Sequence, residues 1–314
     1  MTVDALFDTV VGLDLGGTFL KGALIDGAGR VVDRLREPLA KESRRSLTGQ
    51  LAAAVGALDP ERRSQGVGIG VPGIMDVETG RVLSAPSLEA MEGMPVGEEM
   101  TRITGRPSFA ENGAHAAALA EAWQGAGRDA EYVLYLTLGT GVAGGLVFGG
   151  RLWTGRYGYA GEIGHLQVQP SGLPCACGSR GCLETIAGSA GWARSAEALM
   201  TERDSTLRGR PLDPASILEC AREGDAVALD VVDGVAQALG TGVAAALDLL
   251  NLDRVVLGCG ASASGDLLLQ GIVEHTRRRS FPHVFASTSF RLAELGGDAG
   301  VVGAARVAMT RVGS

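Results

Sequence analysis

The chain has 314 residues, 46% of them hydrophobic, and carries a formal net charge of −8 with a pI near 5.1. That length points to about two domains, the composition to folded cores, and the acidity, with no basic run beyond Arg277 to Arg279, excludes a nucleic-acid footprint. The N-terminal MTVDALFDTVVGLDLGG has no basic segment ahead of its apolar run, so no secretory signal is read there; the apolar stretch from Val231 to Leu252 is broken by Asp233, Gln237 and Asp248, which argues for a buried helix over a membrane span.

Val10 to Asp14, apolar and β-branched, reads as a strand, and Thr18 to Ile25 as its return after a Gly16-Gly17 turn. The glycines serve the turn; flanked by Asp14, Thr18 and Lys21, they also let backbone N–H groups approach a phosphate, and the residues alone leave both readings standing. Val31 to Leu35 is a third strand, ahead of a helix from Ser46 to Leu58 whose Leu47, Leu51, Val55 and Leu58 keep helical spacing. Gly66 to Val71 is a buried strand ending at Pro72-Gly73. Arg81 to Ser84 and Pro107 to Ala110 are weaker strands, and the second leads through Glu111-Asn112 into an alanine-rich helix, Ala114 to Trp123.

The second half opens in the same way, with a strand Tyr132 to Leu138, a turn Gly139-Thr140-Gly141 and a returning strand Val142 to Phe148. The string GTGVAG matches a dinucleotide fingerprint, but that fingerprint must open a helix and the strand-like GLVFGG follows it. No glycine run ends in Gly-Lys-Ser/Thr, so a P-loop is absent. Two Gly/Thr hairpins, each starting a half-chain, look like a duplicated nucleotide-clasping unit. The arrangement resembles the two-lobed hexokinase-, actin- and Hsp70-like α/β folds (ribonuclease H-like, duplicated), which hold ATP between their lobes.

The stretch GEIGHLQVQPSGLPCACGSRGCLE, from Gly161 to Glu184, gathers three of the five cysteines and one of the four histidines. His165, Cys175, Cys177 and Cys182, spaced by a Pro/Ser/Gly turn and by Gly178 and Gly181, suit one tetrahedral zinc ion in a closed loop site. Buried cysteines beside a core histidine are the plainer alternative, and the clustering favours metal. An odd number of cysteines, with three in such a cluster, fits a reducing compartment and a cytoplasmic protein. GEIGH followed by CxCGxxGCLE is similar to the signature of the ROK family of bacterial sugar kinases and sugar-responsive repressors. In that family the zinc is structural, and the resemblance implies that Glu162, His165 and Glu184 contact sugar hydroxyls.

Beyond the knot, Leu183 to Met200 and Pro214 to Glu223 look helical, and Ala226 to Leu250 is a helical region interrupted at Gly234, Gly240 and Gly242. Arg254 to Leu257 is a strand running into GCGASASGD, a plain loop on its residues alone; the resemblance places adenosine there, near Gly258 and Gly260. Asp298 is an N-cap for a last helix, Ala299 to Thr310. By resemblance that helix returns to the first lobe, giving a small lobe of 1–113 plus 299–314 and a large lobe of 114–298 that carries the zinc loop 161–184.

The resemblance implies an ATP-dependent kinase acting on the 6-hydroxyl of a glucose-like hexose, with ATP, Mg²⁺ and structural Zn²⁺ as cofactors. The expected partners are the hexose, ATP and further copies of the chain as a homodimer or higher homo-oligomer, with no nucleic acid and no membrane. Asp14 would help orient Mg²⁺, directly or through water. Phosphates would meet Gly16, Gly17, Thr18 and Lys21 on one hairpin and Gly139, Thr140 and Gly141 on the other. Asn112, Glu162, His165 and Glu184 would hold the sugar, with Ser87 replacing an asparagine that the family often has in the loop Ala85-Pro86-Ser87-Leu88.

The family's Glu-Asn-Asp-Ala-Asn aligns without a gap on Glu111-Asn112-Gly113-Ala114-His115, so Gly113 stands where the catalytic Asp should be. His115 lies two positions, about 200°, further round the helix; it is expected to point away as a surface or interlobe residue and is a minor candidate for the base. Loss of the base makes a sugar-binding, regulatory ROK protein the alternative to a weak kinase. A repressor would carry an N-terminal helix-turn-helix of several tens of residues, whereas this chain begins about ten residues before DLGGT.

Overall fold

A computed structural model describes residues 9–259 and 265–312. It holds two five-stranded sheets with the same order of strands. Numbering the strands within each sheet by chain order gives 3-2-1-4-5 both times, so the duplication expected from the two hairpins extends to the whole of each sheet.

In the first sheet β1 (Val10–Leu15), β2 (Phe19–Ile25) and β3 (Val31–Pro38) form an antiparallel meander, while β4 (Val67–Val71) and β7 (Ser108–Asn112) add in parallel. Side chains alternate across β1. Val11, Leu13 and Leu15 join a core with Leu47, Leu51, Val55 and Leu58 of α1 (Arg44–Leu58) and with Val96 and Met100 of α2 (Val96–Thr104). The opposite face is small by design of the sequence: a Cβ at Gly12 would stand 2.0 Å from Val301 O, and one at Gly68 would stand 1.7 Å from Ala304 O. These glycines let α10 (Ala299–Val312) lie with its backbone against the sheet. Helix α3 (Gly113–Gln124) packs beside α10, where a Cβ at Gly303 would meet Ala116 O at 1.7 Å.

A short hairpin, β5 (Ile74–Asp76) and β6 (Arg81–Ser84), follows β4. In the second sheet β8 (Tyr132–Leu138) and β9 (Val142–Phe148) form the second hairpin, with β10 (Arg151–Leu152) antiparallel to β9, and β11 (Arg254–Cys259) and β12 (Ser289–Leu292) add in parallel. GTGVAG thus enters a strand, as its context required.

By compactness the chain falls into two units. The first comprises the described residues to Arg128, then Gly145–Ala160 and the described residues from Gly297; the second comprises Asp129–Gly144 and Gly161–Gly296. The first boundary therefore lies after α3, where the sequence reading put it at residue 113, because α3 buries its alanines beside α10. Residues 145–160, assigned to the large lobe, also group with the first unit.

Two helical expectations change. Leu183 to Met200 is two helices, α4 (Glu184–Ala187) and α5 (Ser189–Met200), broken at the extended Gly188, ψ 156°. The region after α6 (Pro214–Arg222) is one continuous helix, α7 (Ala226–Leu250). Its glycines do not interrupt it; Gly240 instead admits α8 (Gly265–Arg277), since a Cβ there would lie 2.6 Å from His275 Cβ. Helix α7 is long and apolar enough to cross a membrane, yet Val231, Val235, Leu239, Val243 and Leu247 are buried within the protein. The short α9 (Pro282–Ser287) leads to β12.

Candidate active site and metal centre

In the first unit Asp14 is the penultimate residue of β1, in register with Lys21 on β2 and Gly70 on β4. Its carboxylate sits in a glycine-walled slot: Cβ atoms built at Gly70 and Gly300 would lie 3.4 Å from its Oδ1 and 2.5 Å from its Cγ. Burial pushes the Asp14 carboxyl above the usual carboxylate range, against the opposing pull of Lys21. Lys21 Nζ itself donates to Gly297 O at 3.1 Å.

The Gly16–Thr18 turn is closed by its first residue, Gly16 N–H donating to Phe19 O at 3.0 Å, while the N–H groups of Gly17 and Thr18 meet no internal acceptor among the described residues. Lys41 Nζ reaches Gly17 O. The sequence reading missed that cation because it lies in a loop beyond β3, with no motif around it.

Where β7 passes into α3, Asn112 is the helix N-cap. Its Oδ1 accepts from Ala114 N at 2.8 Å and His115 N at 3.1 Å, and its Nδ2 donates to Gly73 O at 2.7 Å. Asn112 thus has a structural role that its sugar-binding expectation did not include, and one Nδ2 hydrogen remains. A Cβ at Gly113 would meet Val71 O at 3.6 Å and Asp14 Oδ1 at 3.8 Å, ordinary contacts, so a side chain fits there beside Asp14. Ser87 lies exposed in its loop.

His115 is neither on a surface nor open as a base. It is 2% exposed, with Nδ1 3.2 Å from Glu111 Oε1 and Nε2 2.9 Å from Ala160 O. A carbonyl oxygen only accepts, so Nε2 carries a proton. Burial penalises the Glu111 carboxylate, but His115, Arg311 and the Asn112 N–H together hold it below its usual range, so Nδ1 faces an ionised acceptor too. Both ring nitrogens are thus engaged inside the first unit, Nδ1 by Glu111 and Nε2 by Ala160 O, so the buried imidazole offers no free nitrogen to a sugar hydroxyl and the geometry does not support His115 as the base.

In the second unit the Gly139–Gly141 turn is similar to the first, with its closing bond one residue shorter. Gly139 N–H donates to Gly141 O at 3.0 Å, and the N–H groups of Thr140 and Gly141 meet no internal acceptor among the described residues. Glu184 lies beneath this turn, its Oε2 accepting from Val142 N at 3.0 Å. Glu162 precedes the single helical turn Ile163–His165 and is half-buried.

His165, Cys175, Cys177 and Cys182 converge, with one ligand atom from each lying within 4.8 Å of all the others. Cys177 Sγ and Cys182 Sγ are 3.6 Å apart, and Cys175 Sγ is 3.6 Å from His165 Nδ1. The edge of a tetrahedron with metal–sulfur bonds of about 2.3 Å is about 3.8 Å, so the spacing and the donor chemistry fit zinc. Bonds from Cys175 N to Ser179 O and from Gly178 N to Cys175 O fold the loop, with Gly178 and Gly181 at φ 90° and 66°. Burial first, then the neighbouring Cys177 and Cys175, push the Cys182 thiol up to about 11. A bound cation would relieve that crowding of thiols.

Gly258 is in β11 and not in the following loop; a Cβ there would meet the Tyr135 hydroxyl at 2.4 Å, so this glycine makes room for that ring. Gly260 lies outside the described residues.

A glucokinase of Halalkalibacterium halodurans is 39% identical over 306 residues, spanning 93% of this chain and 92% of that protein. A ROK family glucokinase of Streptomyces griseus, solved in complex with glucose and AMPPNP, matches with a TM-score of 0.80 and 32% identity over 96% of this chain and 99% of that one. A ROK family transcriptional regulator, a homologue of the E. coli MLC protein, matches with a TM-score of 0.89 and 26% identity, over 98% of this chain and 79% of that one. The sequence model of the ROK family matches residues 10–311, and with the hairpins, the Cys/His knot and nearly the whole length accounted for, the chain belongs to the ROK family.

Proposed function

We propose that this chain is an ATP-dependent hexose kinase that phosphorylates the 6-hydroxyl of a glucose-like sugar, with slow turnover in its natural form. The observation that carries this reading is the pair of similar turns, in which a first glycine closes the backbone and the next two N–H groups meet no acceptor among the described residues, once at Gly16–Thr18 and once at Gly139–Gly141. Such N–H pairs suit phosphate oxygens. The likeness to glucokinases supports the choice of sugar class.

Phosphoryl transfer depends on positioning and charge neutralisation more than on covalent help. Asp14, walled by glycines, would hold Mg²⁺ directly or through water, and the ion would neutralise charge on the phosphates. Lys21 and Lys41 add positive charge near the first turn. Asn112, with its one remaining N–H, and Glu162, His165 and Glu184 would orient the hexose. His165 turns Nδ1 toward the cysteines, leaving Nε2 for a sugar hydroxyl. His165, Cys175, Cys177 and Cys182 would hold Zn²⁺, which supplies cross-linking of the loop and no chemical step.

Gly113 leaves the attacking hydroxyl without a side-chain base. Such a base contributes about 10²- to 10⁴-fold, so from a typical kcat of about 10 s⁻¹ the expected rate is roughly 0.001 to 0.1 s⁻¹. The test is a panel of hexoses with ATP, reading ADP release and sugar-dependent melting shifts together. Slow ADP release with a glucose-like sugar that also shifts melting is the expected result. A sugar that shifts melting without any ADP release would overturn the kinase in favour of a sugar-binding regulator.

A further inference from the structure

The Gly139–Gly141 turn is not held by its own hairpin alone. Gly139 O accepts twice from one residue, from Ser189 N at 3.1 Å and from Ser189 Oγ at 2.6 Å. On the other side of the turn Glu184 Oε2 accepts from Val142 N, and a Cβ at Gly141 would lie 2.1 Å from that oxygen. Both anchors come from the segment Glu184–Ser189, which begins two residues after the cluster cysteine Cys182. Leu183 N donates to Leu166 O at 2.8 Å, so this segment is tied to the chain beside His165 as well.

The break between α4 and α5 has its reason here. At Gly188 a Cβ would stand 2.9 Å from Thr140 O and 2.8 Å from Glu184 O, so only glycine lets the chain pass this close to the turn. Its extended backbone then directs Ser189 back onto Gly139. A helix continuing from Glu184 to Met200 would have carried Ser189 past the turn.

We propose that Ser189 is a positioning residue for the nucleotide: by clamping Gly139 O with its hydroxyl and its N–H, it fixes the turn whose Thr140 and Gly141 N–H groups receive the phosphates. With Glu184 it makes the Glu184–Ser189 segment a strut from the Cys/His cluster to the phosphate turn. The inference rests on the reading of that turn as a phosphate holder. Removing the hydroxyl leaves the backbone bond, so the turn loosens without unfolding, and the effect is that of one ordinary hydrogen bond.

The experiment compares wild type, Ser189→Ala and Ser189→Thr. Ser189→Ala should raise the KM for ATP, and the Kd for AMPPNP titrated without sugar, about 3- to 10-fold. The KM for the hexose, the zinc content and the melting temperature should stay close to wild type, and Ser189→Thr, which keeps the hydroxyl, should recover most of the nucleotide affinity. An unchanged AMPPNP affinity in Ser189→Ala, against a wild type that binds it, overturns the positioning role while leaving the kinase reading intact. Equal losses for ATP and hexose with a lowered melting temperature overturn it too, as a general packing defect. A wild type that phosphorylates nothing and binds no AMPPNP overturns the functional reading beneath it.

Discussion

At Gly113 the proposed kinase lacks a side-chain base. A carboxylate there would start 3.8 Å from Asp14 Oδ1, in ordinary contact with Val71 O, on a helix whose first turn is already capped by Asn112. Gly113→Asp should therefore fold and raise kcat by about 10²-fold or more, with a smaller change in the KM for the sugar; turnover unchanged on every sugar that binds would show that the pocket has left kinase geometry. The glycine was legible because the flanking residues aligned without a gap. The role of His115 was not: helical periodicity gave its direction relative to residue 113, but not that this direction faces a buried carboxylate and a carbonyl. Glu111, held below its usual value in the folded state, contributes stability above the unfolded pKa of about 4.5 that is lost as pH falls through the folded value. The melting difference between wild type and Glu111→Gln should thus be largest near pH 7 and shrink on acidification below about 4.5; a difference constant from pH 7 to pH 3 would remove the ion pair from the account.

Elements that alternate or repeat strongly were readable, and those that depend on partners were not. Strands β8 and β9 matched residue for residue, because apolar runs bounded by Gly/Thr turns have one interpretation. Helix α2 went unread, since it buries only Val96 and Met100, and α8 was expected without bounds, since the small-residue stretch ahead of it hides its start. In the knot between Gly161 and Glu184 the convergence of His165, Cys175, Cys177 and Cys182 was readable, since four such donors sit in so short a span. Its reach was not readable, since the bond from Glu184 to Val142 N joins positions 42 apart. Cys177→Ala should abolish stoichiometric zinc and lower both the melting temperature and sugar affinity, checked by elemental analysis and by melting with and without hexose. Wild-type protein purified without chelator and found free of zinc would end the assignment.

At the scale of the molecule the described residues up to Arg128 and from Gly297 belong to one unit, in which β1 is covered by α10. By compactness the final helix groups with the first unit, and it packs there because of the glycine face of β1 and β4, which no local pattern flags. Gly12→Ala drives a methyl group to 2.0 Å from Val301 O. Backbone on both sides leaves nothing flexible to yield, so the variant should lose about 1 to 3 kcal/mol, a melting drop of several degrees read by calorimetry; an unchanged melting temperature would mean that α10 can move off the sheet. The same closure sets an order of events during synthesis. Strand β1 leaves the ribosome before α10, and at about 5 to 20 residues per second the interval between them is roughly a quarter of a minute to a minute. For that time the glycine face has no cover, and a nascent chain released early would present it to any passing strand or chaperone.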